Sequence, residues 1–206
     1  MDGGYDSGYK SCPCFWGRDP GKLVRHLANI VPDFSGLSVI DAGCGEGKNA
    51  AFLATCGATV HAFDVSEIAM DHAKKLWRPS LSINWTVADI TEIEITENAY
   101  DIVVAYGLFH CLRKPETVRK VVRELQRATR PNGYHAIVAL NSRFQDLRAA
   151  HPELSPCLLA HGDYLSFYQQ WNLIVKEDVD LTETHPHNKI SHTHSITRIL
   201  AQKAPR

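Results

Sequence analysis

The stretch Asp41-Ala42-Gly43-Cys44-Gly45-Glu46-Gly47 constrains what this chain can fold into more than any other. An apolar run over residues 37–42 leads into it and a helix-forming run over 48–56 leaves it, so a buried strand turns into a helix through alternate glycines. Glycine accepts left-handed backbone and lets a ligand reach the main chain. In an open α/β sheet, ligands gather at the carboxyl ends of the strands where the strand order reverses. The surrounding sequence alternates in the same way. Strand-length runs at 58–63, 83–88, 100–105 and 134–140 are interleaved with helical periods at 48–56, 66–77 and 115–130, the last closed by Pro131-Asn132-Gly133. After an irregular span over 141–161 and a short helix over 162–171, residues 173–181 and 193–202 form a terminal hairpin. The expected fold is α/β: a Rossmann-like, seven-stranded, mostly parallel sheet with helices on both faces and an antiparallel C-terminal hairpin. It forms one domain over 1–206, with residues 1–19 as an arm or lid and a core that begins with a helix opened by Pro20.

A chain of 206 residues can build one core without disulfides or a structural metal. The 22 Lys plus Arg against 23 Asp plus Glu leave a formal charge of -1, which gives no basic field for a nucleic-acid backbone. No apolar run reaches the roughly 20 residues of a membrane span. The N-terminus has neither a basic head nor an apolar leader. The expectation is therefore a cytoplasmic protein, monomer or homodimer, that meets a small molecule and neither nucleic acid nor membrane. Its six cysteines lack the spacing of a disulfide framework or zinc ribbon and read as reduced thiols. Cys12-Pro-Cys14, tighter than usual zinc spacing, suits incidental packing or a soft metal or metalloid contact.

Asp64 ends the second strand about 20 residues after the glycines, where a carboxylate accepts hydrogen bonds from both ribose hydroxyls. Asp89, after the third strand, is placed for an adenine amino group. A dinucleotide and S-adenosylmethionine both suit such a pattern, and charge separates them. Dinucleotides bring Gly-x-Gly-x-x-Gly and a pyrophosphate at the helix N-terminus. Here the spacing is Gly-x-Gly-x-Gly, and Asp41 and Glu46 flank it, repelling a diphosphate and attracting an ammonium and a sulfonium. Singly, Asp41 also reads as a strand-end cap and Glu46 as a helix-dipole partner. Together with Asp64 and Asp89 they predict S-adenosylmethionine as cofactor, with no metal required.

Gly43-Cys44-Gly45, Gly47, Asn49, Leu53-Ala54, Gly57 and Asp64 form a pattern continued by Thr129, Pro131, Gly133 and Tyr134. It returns in Gly162-Asp163, Phe167-Tyr168, Trp171, Glu177-Asp178-Val179 and Leu200-Ala201-Gln202-Lys203. This pattern resembles the class I S-adenosylmethionine-dependent methyltransferases and, within them, the tellurite-resistance methyltransferase family. The resemblance implies an enzyme acting on a small acceptor: a thiol, a metalloid oxyanion or another heteroatom. It implies that Asp41, Gly43 and Gly45, with Cys44 and Gly47 in the same turn, hold the methionine part. Asp64 with Val65 would hold the ribose, Asp89 with Ile90 the adenine, and Tyr106 would line the sulfonium pocket. In that family the hairpin brings His and Arg near the transferring methyl. An ungapped reading puts Glu183, Thr184 and Ser191 there instead, so tellurite is not implied as the substrate.

The hairpin carries His185, His187, His192 and His194, two His-x-His pairs each on one sheet face. A turn at Asn188 and Lys189 would set His185 opposite His192. A solvated strand end, substrate contact or proton transfer, and metal ligation all remain open, the last without an evident carboxylate or Cys to complete the set. His110, His185 and His194 are the candidate catalytic residues, although His110 equally suits a satisfied core histidine. Phe109 after the fourth strand, and Arg143 and Phe144 after the fifth, are expected to face the acceptor. Trp16 and Arg18 are expected to fold over the cofactor, with plain packing the other reading of Trp16. A catalytically silent S-adenosylmethionine-binding or metal-sensing module is the second function consistent with these features.

Overall fold

The computed structural model describes residues 4–185 and 189–205. Seven strands form one sheet: β1 (Ser38–Ala42), β2 (Thr59–Asp64), β3 (Ile83–Val87), β4 (Tyr100–Tyr106), β5 (Thr129–Gln145), β6 (Asn172–Thr184) and β7 (Ser191–Gln202). Their order is β3-β2-β1-β4-β5-β7-β6. The first five are parallel, and β7 is antiparallel to both β5 and β6. The order reverses between β1 and β4, and there the carboxyl ends open a crevice. The fold is the Rossmann-like, mostly parallel sheet with an antiparallel C-terminal pair that the sequence implies.

Among the described residues six α-helices accompany the sheet: α1 (Asp6–Ser11), α2 (Lys22–Ile30), α3 (Lys48–Thr55), α4 (Glu67–Leu76), α5 (Pro115–Ala128) and α6 (His161–Ser166). Strand side chains alternate between faces, so the sheet supplies two cores. Val39, Ile102, Val104 and Ala136 pack with Leu23, Val24 and Leu27 of α2 and with Leu53 of α3. Ile40, Val103, Ala105 and Ile137 meet Val118, Val122 and Leu125 of α5 on the other side. Local chemistry sets the helix starts. Ser66 caps α4 by accepting from the Ala69 amide at 3.1 Å, and α5 opens on Pro115 with Glu116 in its first turn. Among the described residues no helix is long and apolar enough to cross a membrane.

Several boundaries differ from the sequence reading. The helix expected from Pro20 begins at Lys22, because the Gly21 amide is drawn to Asn49 Oδ1 at 2.9 Å and Gly21 becomes its N-cap. α5 ends at Ala128 rather than near residue 130, since Thr129 already pairs with Tyr100. Pro131-Asn132-Gly133 then forms a bulge within β5, where its register against β4 shifts, with Asn132 at φ 63. β5 also runs on to Gln145, paired with His194, into the span expected to be irregular. The helix expected to reach Trp171 stops at Ser166. Residues 4–19 are folded: they hold α1 and bury Tyr9 and Phe15 against Ala69 of α4.

Candidate active site

The glycine turn is pinned to the end of β2, where the Gly43 and Cys44 amides both donate to the Phe63 carbonyl, at 2.8 and 2.9 Å. Gly45 and Gly47 show why side chains are excluded. Gly45 has φ +54, and a Cβ there would approach the Tyr9 hydroxyl to 2.8 Å. Gly47 has φ +79, and a Cβ there would overlap the Trp85 ring. Over the turn lies a cavity of about 270 Å³. Its lower wall includes Gly43, Cys44, Gly45, Gly47, Asp64, Val65 and Ile90, and the far side is Tyr106, His110, Glu183, His194 and Arg198. Tyr5, Tyr9, Trp16 and Gly17 roof it from the N-terminal arm.

Asp64 Oδ2 accepts from the Gly45 amide at 2.7 Å and Oδ1 from the Ser66 amide at 2.9 Å, which leaves each oxygen a second lone pair toward the cavity. Burial raises its pKa, and those two amides oppose the rise. Asp41 lies beneath the turn, off the cavity wall, 1% exposed, and neither of its oxygens has a hydrogen-bond partner among the described residues. Burial carries its pKa from 3.8 to about 7, the nearby Ala50 amide opposes the rise, and the Asp64 charge adds to it. An unpaired carboxyl under a ligand-sized space, with Asp64 on the wall, fits a cationic nucleoside such as S-adenosylmethionine.

Other expected cofactor residues are placed differently. The Asp89 carboxylate turns to the amide and hydroxyl of Thr91, at 2.9 and 2.8 Å, and only its neighbours Ala88 and Ile90 line the cavity. Glu46 Oε1 accepts from the Cys14 amide at 2.7 Å and lies 2.9 Å from His72 Nδ1, so this acid ties the turn to the arm and to α4. Trp16 reaches the cavity and donates from Nε1 to the Tyr9 hydroxyl at 3.1 Å. Arg18 stacks over Trp77 at 5.9 Å and is not on the wall.

His110 is 4% exposed, and burial lowers its pKa to about 3. Its Nδ1 accepts from the Leu140 amide at 3.3 Å, so the neutral ring carries its proton on Nε2 and donates to the Tyr5 hydroxyl at 3.0 Å. That leaves the Tyr5 hydroxyl hydrogen free to donate. The three residues expected to face the acceptor, Phe109, Arg143 and Phe144, do not line this cavity. Phe109 is fully buried in the core against Tyr164, because its 3₁₀ turn points it inward between sheet and helices. Arg143 is drawn to Asp178 and Asp180 of β6, at 3.0 and 2.9 Å. Phe144 is 49% exposed at the far end of β5.

The hairpin pairs Glu183 with His192 and Leu181 with His194, rather than His185 with His192. A register shift of two residues keeps each histidine on its face but changes its opposite number. The carboxylate missing from the sequence reading is therefore present: Glu183 Oε1 lies 3.5, 3.8 and 3.4 Å from Nε2 of His185, His192 and His194. Phe15 stacks on His185, their ring centroids 5.0 Å apart, so the arm covers this cluster. His187 and Asn188 lie outside the described residues. Sequence reasoning missed Tyr5, Tyr9, Glu183 and Arg198 on the wall. For the hairpin pair the signal was available, since alternation places Glu183 with Leu181, and Arg198 with His194 and Ile196.

Residues 39–133 match the methyltransferase-domain family. The chain is 30% identical over 159 residues to the probable S-adenosyl-L-methionine-dependent methyltransferase TehB of Haemophilus influenzae (strain 10810), which covers 73% of this chain and 50% of that protein. The chain thus spans about half the length of this relative. The crystal structure of TehB from Haemophilus influenzae superposes with a TM-score of 0.71 at 24% identity, covering 87% of this chain and 61% of that one. The structure solved for conversion of a disulfide bond into a thioacetal group during echinomycin biosynthesis gives a TM-score of 0.72 at 24% identity, with 97% of this chain and 91% of that one covered. With strand order and glycine turn in agreement with these likenesses, residues 39–133 carry a methyltransferase domain, and the chain resembles the S-adenosylmethionine-dependent methyltransferases, the tellurite-resistance group among them.

Proposed function

We propose that the chain binds S-adenosylmethionine over the glycine turn and methylates a small acceptor admitted between the arm and the hairpin. The observation that carries this reading is the Asp64 carboxylate on the cavity wall beside the buried Asp41, a pair whose ionised form a cationic ligand stabilises. The cofactor supplies an electrophilic methyl on its sulfonium. Asp64 and Val65 hold the ribose, Ile90 packs on the adenine, and Tyr106 lines the methyl side. Tyr5, oriented by His110, donates a hydrogen bond to the acceptor, and His194 lines the same cavity. In-line displacement needs positioning and exclusion of water more than acid-base help, and the arm provides both.

The family resemblance and the enclosed space favour a thiol, metalloid oxyanion or other heteroatom metabolite as acceptor over a macromolecule. Calorimetry with S-adenosylhomocysteine is expected to show one site, with no enhancement of NADH fluorescence. Tight NADH binding with no response to S-adenosylhomocysteine would overturn the assignment. A screen of thiols, tellurite, selenite and small amines, read by S-adenosylhomocysteine release, identifies the acceptor.

A further inference from the structure

We infer that Glu183, His192 and His194 form a binding site for a divalent transition-metal ion of the zinc class, on the acceptor side of the cavity. One carboxylate oxygen and one nitrogen from each of the two rings lie within 4.8 Å of one another. The Nε2 atoms of His192 and His194 stand 3.8 and 3.4 Å from Glu183 Oε1, beyond the hydrogen-bond range for N–H···O. Ligands bonded to zinc at roughly 2.0–2.1 Å in a tetrahedron are separated by about 3.4 Å, so the observed spacing suits ligands arranged around a common ion. His192 and His194 are 3% and 4% exposed; His192 Nδ1 donates to the Ile190 carbonyl at 3.1 Å, so its Nε2 carries the lone pair toward Glu183, and that nitrogen has no hydrogen-bond partner among the described residues. A buried imidazole lone pair that faces a carboxylate is costly unless a proton or a cation lies between them.

The sheet builds this arrangement. Glu183 and His192 are direct cross-strand partners, and His194 lies two residues along β7 on the same face. His185 Nε2, 3.5 Å from Glu183 Oε1, flanks the set, and the His151 ring lies 5.0 Å from that of His192. Two imidazoles and a carboxylate favour zinc or a neighbouring first-row ion over magnesium or calcium, which prefer oxygen. Glu183 and His194 line the cavity, so an ion held here presents its remaining coordination position to that space. An acceptor with an anionic oxygen or sulfur matches that position. This use of the ion rests on the methyltransferase reading; the site itself does not.

The test is cobalt(II) titration of the full chain after treatment with a chelator. One equivalent is expected to give visible ligand-field bands of low-symmetry nitrogen and oxygen coordination, without the near-ultraviolet thiolate charge-transfer band that the cysteines would produce. Glu183→Gln and His192→Ala are each expected to weaken uptake by more than about 100-fold, the upper end of what changes beyond the ligands cost. S-adenosylhomocysteine binding, measured by calorimetry on the same samples, reports whether the variants fold and tests the cofactor reading separately. A wild-type protein that takes up no cobalt, or takes it up with the thiolate band, overturns the site, and so does undiminished uptake in both variants. Should either variant fail to fold, the wild-type spectrum decides.

Discussion

Two acids under one turn behave differently because their partners differ. Asp64 accepts two backbone amides and still has lone pairs for a ribose, so Asp64→Ala should weaken S-adenosylhomocysteine binding by about 1–3 kcal/mol. Calorimetry checks this, and an unchanged dissociation constant removes Asp64 from the site. Asp41 is more deeply buried, with only the Ala50 amide to offset that burial, and its raised pKa has a consequence for stability. Between 3.8 and about 7 the folded chain keeps a proton that the unfolded chain has released, so the ligand-free protein loses stability as pH rises through that window and gains none of it back above. Asp41→Asn, neutral at every pH, should show a flatter decline than wild type from pH 4 to 8 and a higher melting temperature at the upper end. Parallel pH slopes in the two proteins would mean that Asp41 is not protonated in the fold.

At the scale of elements, β5 and α5 are locked by a buried polar chain. Thr129 Oγ1 donates to the Leu125 carbonyl at 2.6 Å, so it accepts from His135 Nε2 at 2.7 Å, and His135 Nδ1 accepts from the Tyr168 hydroxyl at 2.9 Å. Burial lowers the His135 pKa to about 3, which keeps the ring neutral and this direction of bonding intact. Tyr168→Phe leaves Nδ1 buried without its donor and should cost about 1–3 kcal/mol in denaturant unfolding, with cofactor binding unchanged. The hairpin shows a second kind of coupling. Its period-two pattern places Glu183 and the histidines on inward faces, and the cross-strand register then decides which of them meet.

At the scale of the whole molecule, the arm completes the site. Residues 4–19 contribute Tyr5, Tyr9 and Trp16 to the cavity and are tied down by Glu46 through the Cys14 amide and by Lys48 Nζ, which donates to the Trp16 carbonyl at 3.0 Å. Phe15, 2% exposed, anchors them. Removing a buried phenylalanine costs about 3–5 kcal/mol, and here that loss falls on a segment able to open without the core. Phe15→Ala should therefore speed hydrogen exchange and proteolysis across residues 4–19 and hasten release of S-adenosylhomocysteine, while the core sheet stays protected. Loss of protection throughout the sheet would show instead that arm and core unfold as one.

The amino-acid sequence determined the sheet, the place of the crevice and the sign of the cofactor, because these are written locally. Period two and period 3.6 mark the elements, alternate glycines mark the turn, and Asp41 and Asp64 bring acidic groups to it. Tertiary structure alone decided that Glu46 bonds the arm, that Asp89 turns to Thr91, that Phe109 and Arg143 lie off the cavity wall, and that a carboxylate stands among the hairpin histidines. Each of those outcomes depends on which distant groups compete for one polar atom or one space. That competition is settled by strand register and packing between residues tens of positions apart, and no local pattern records it.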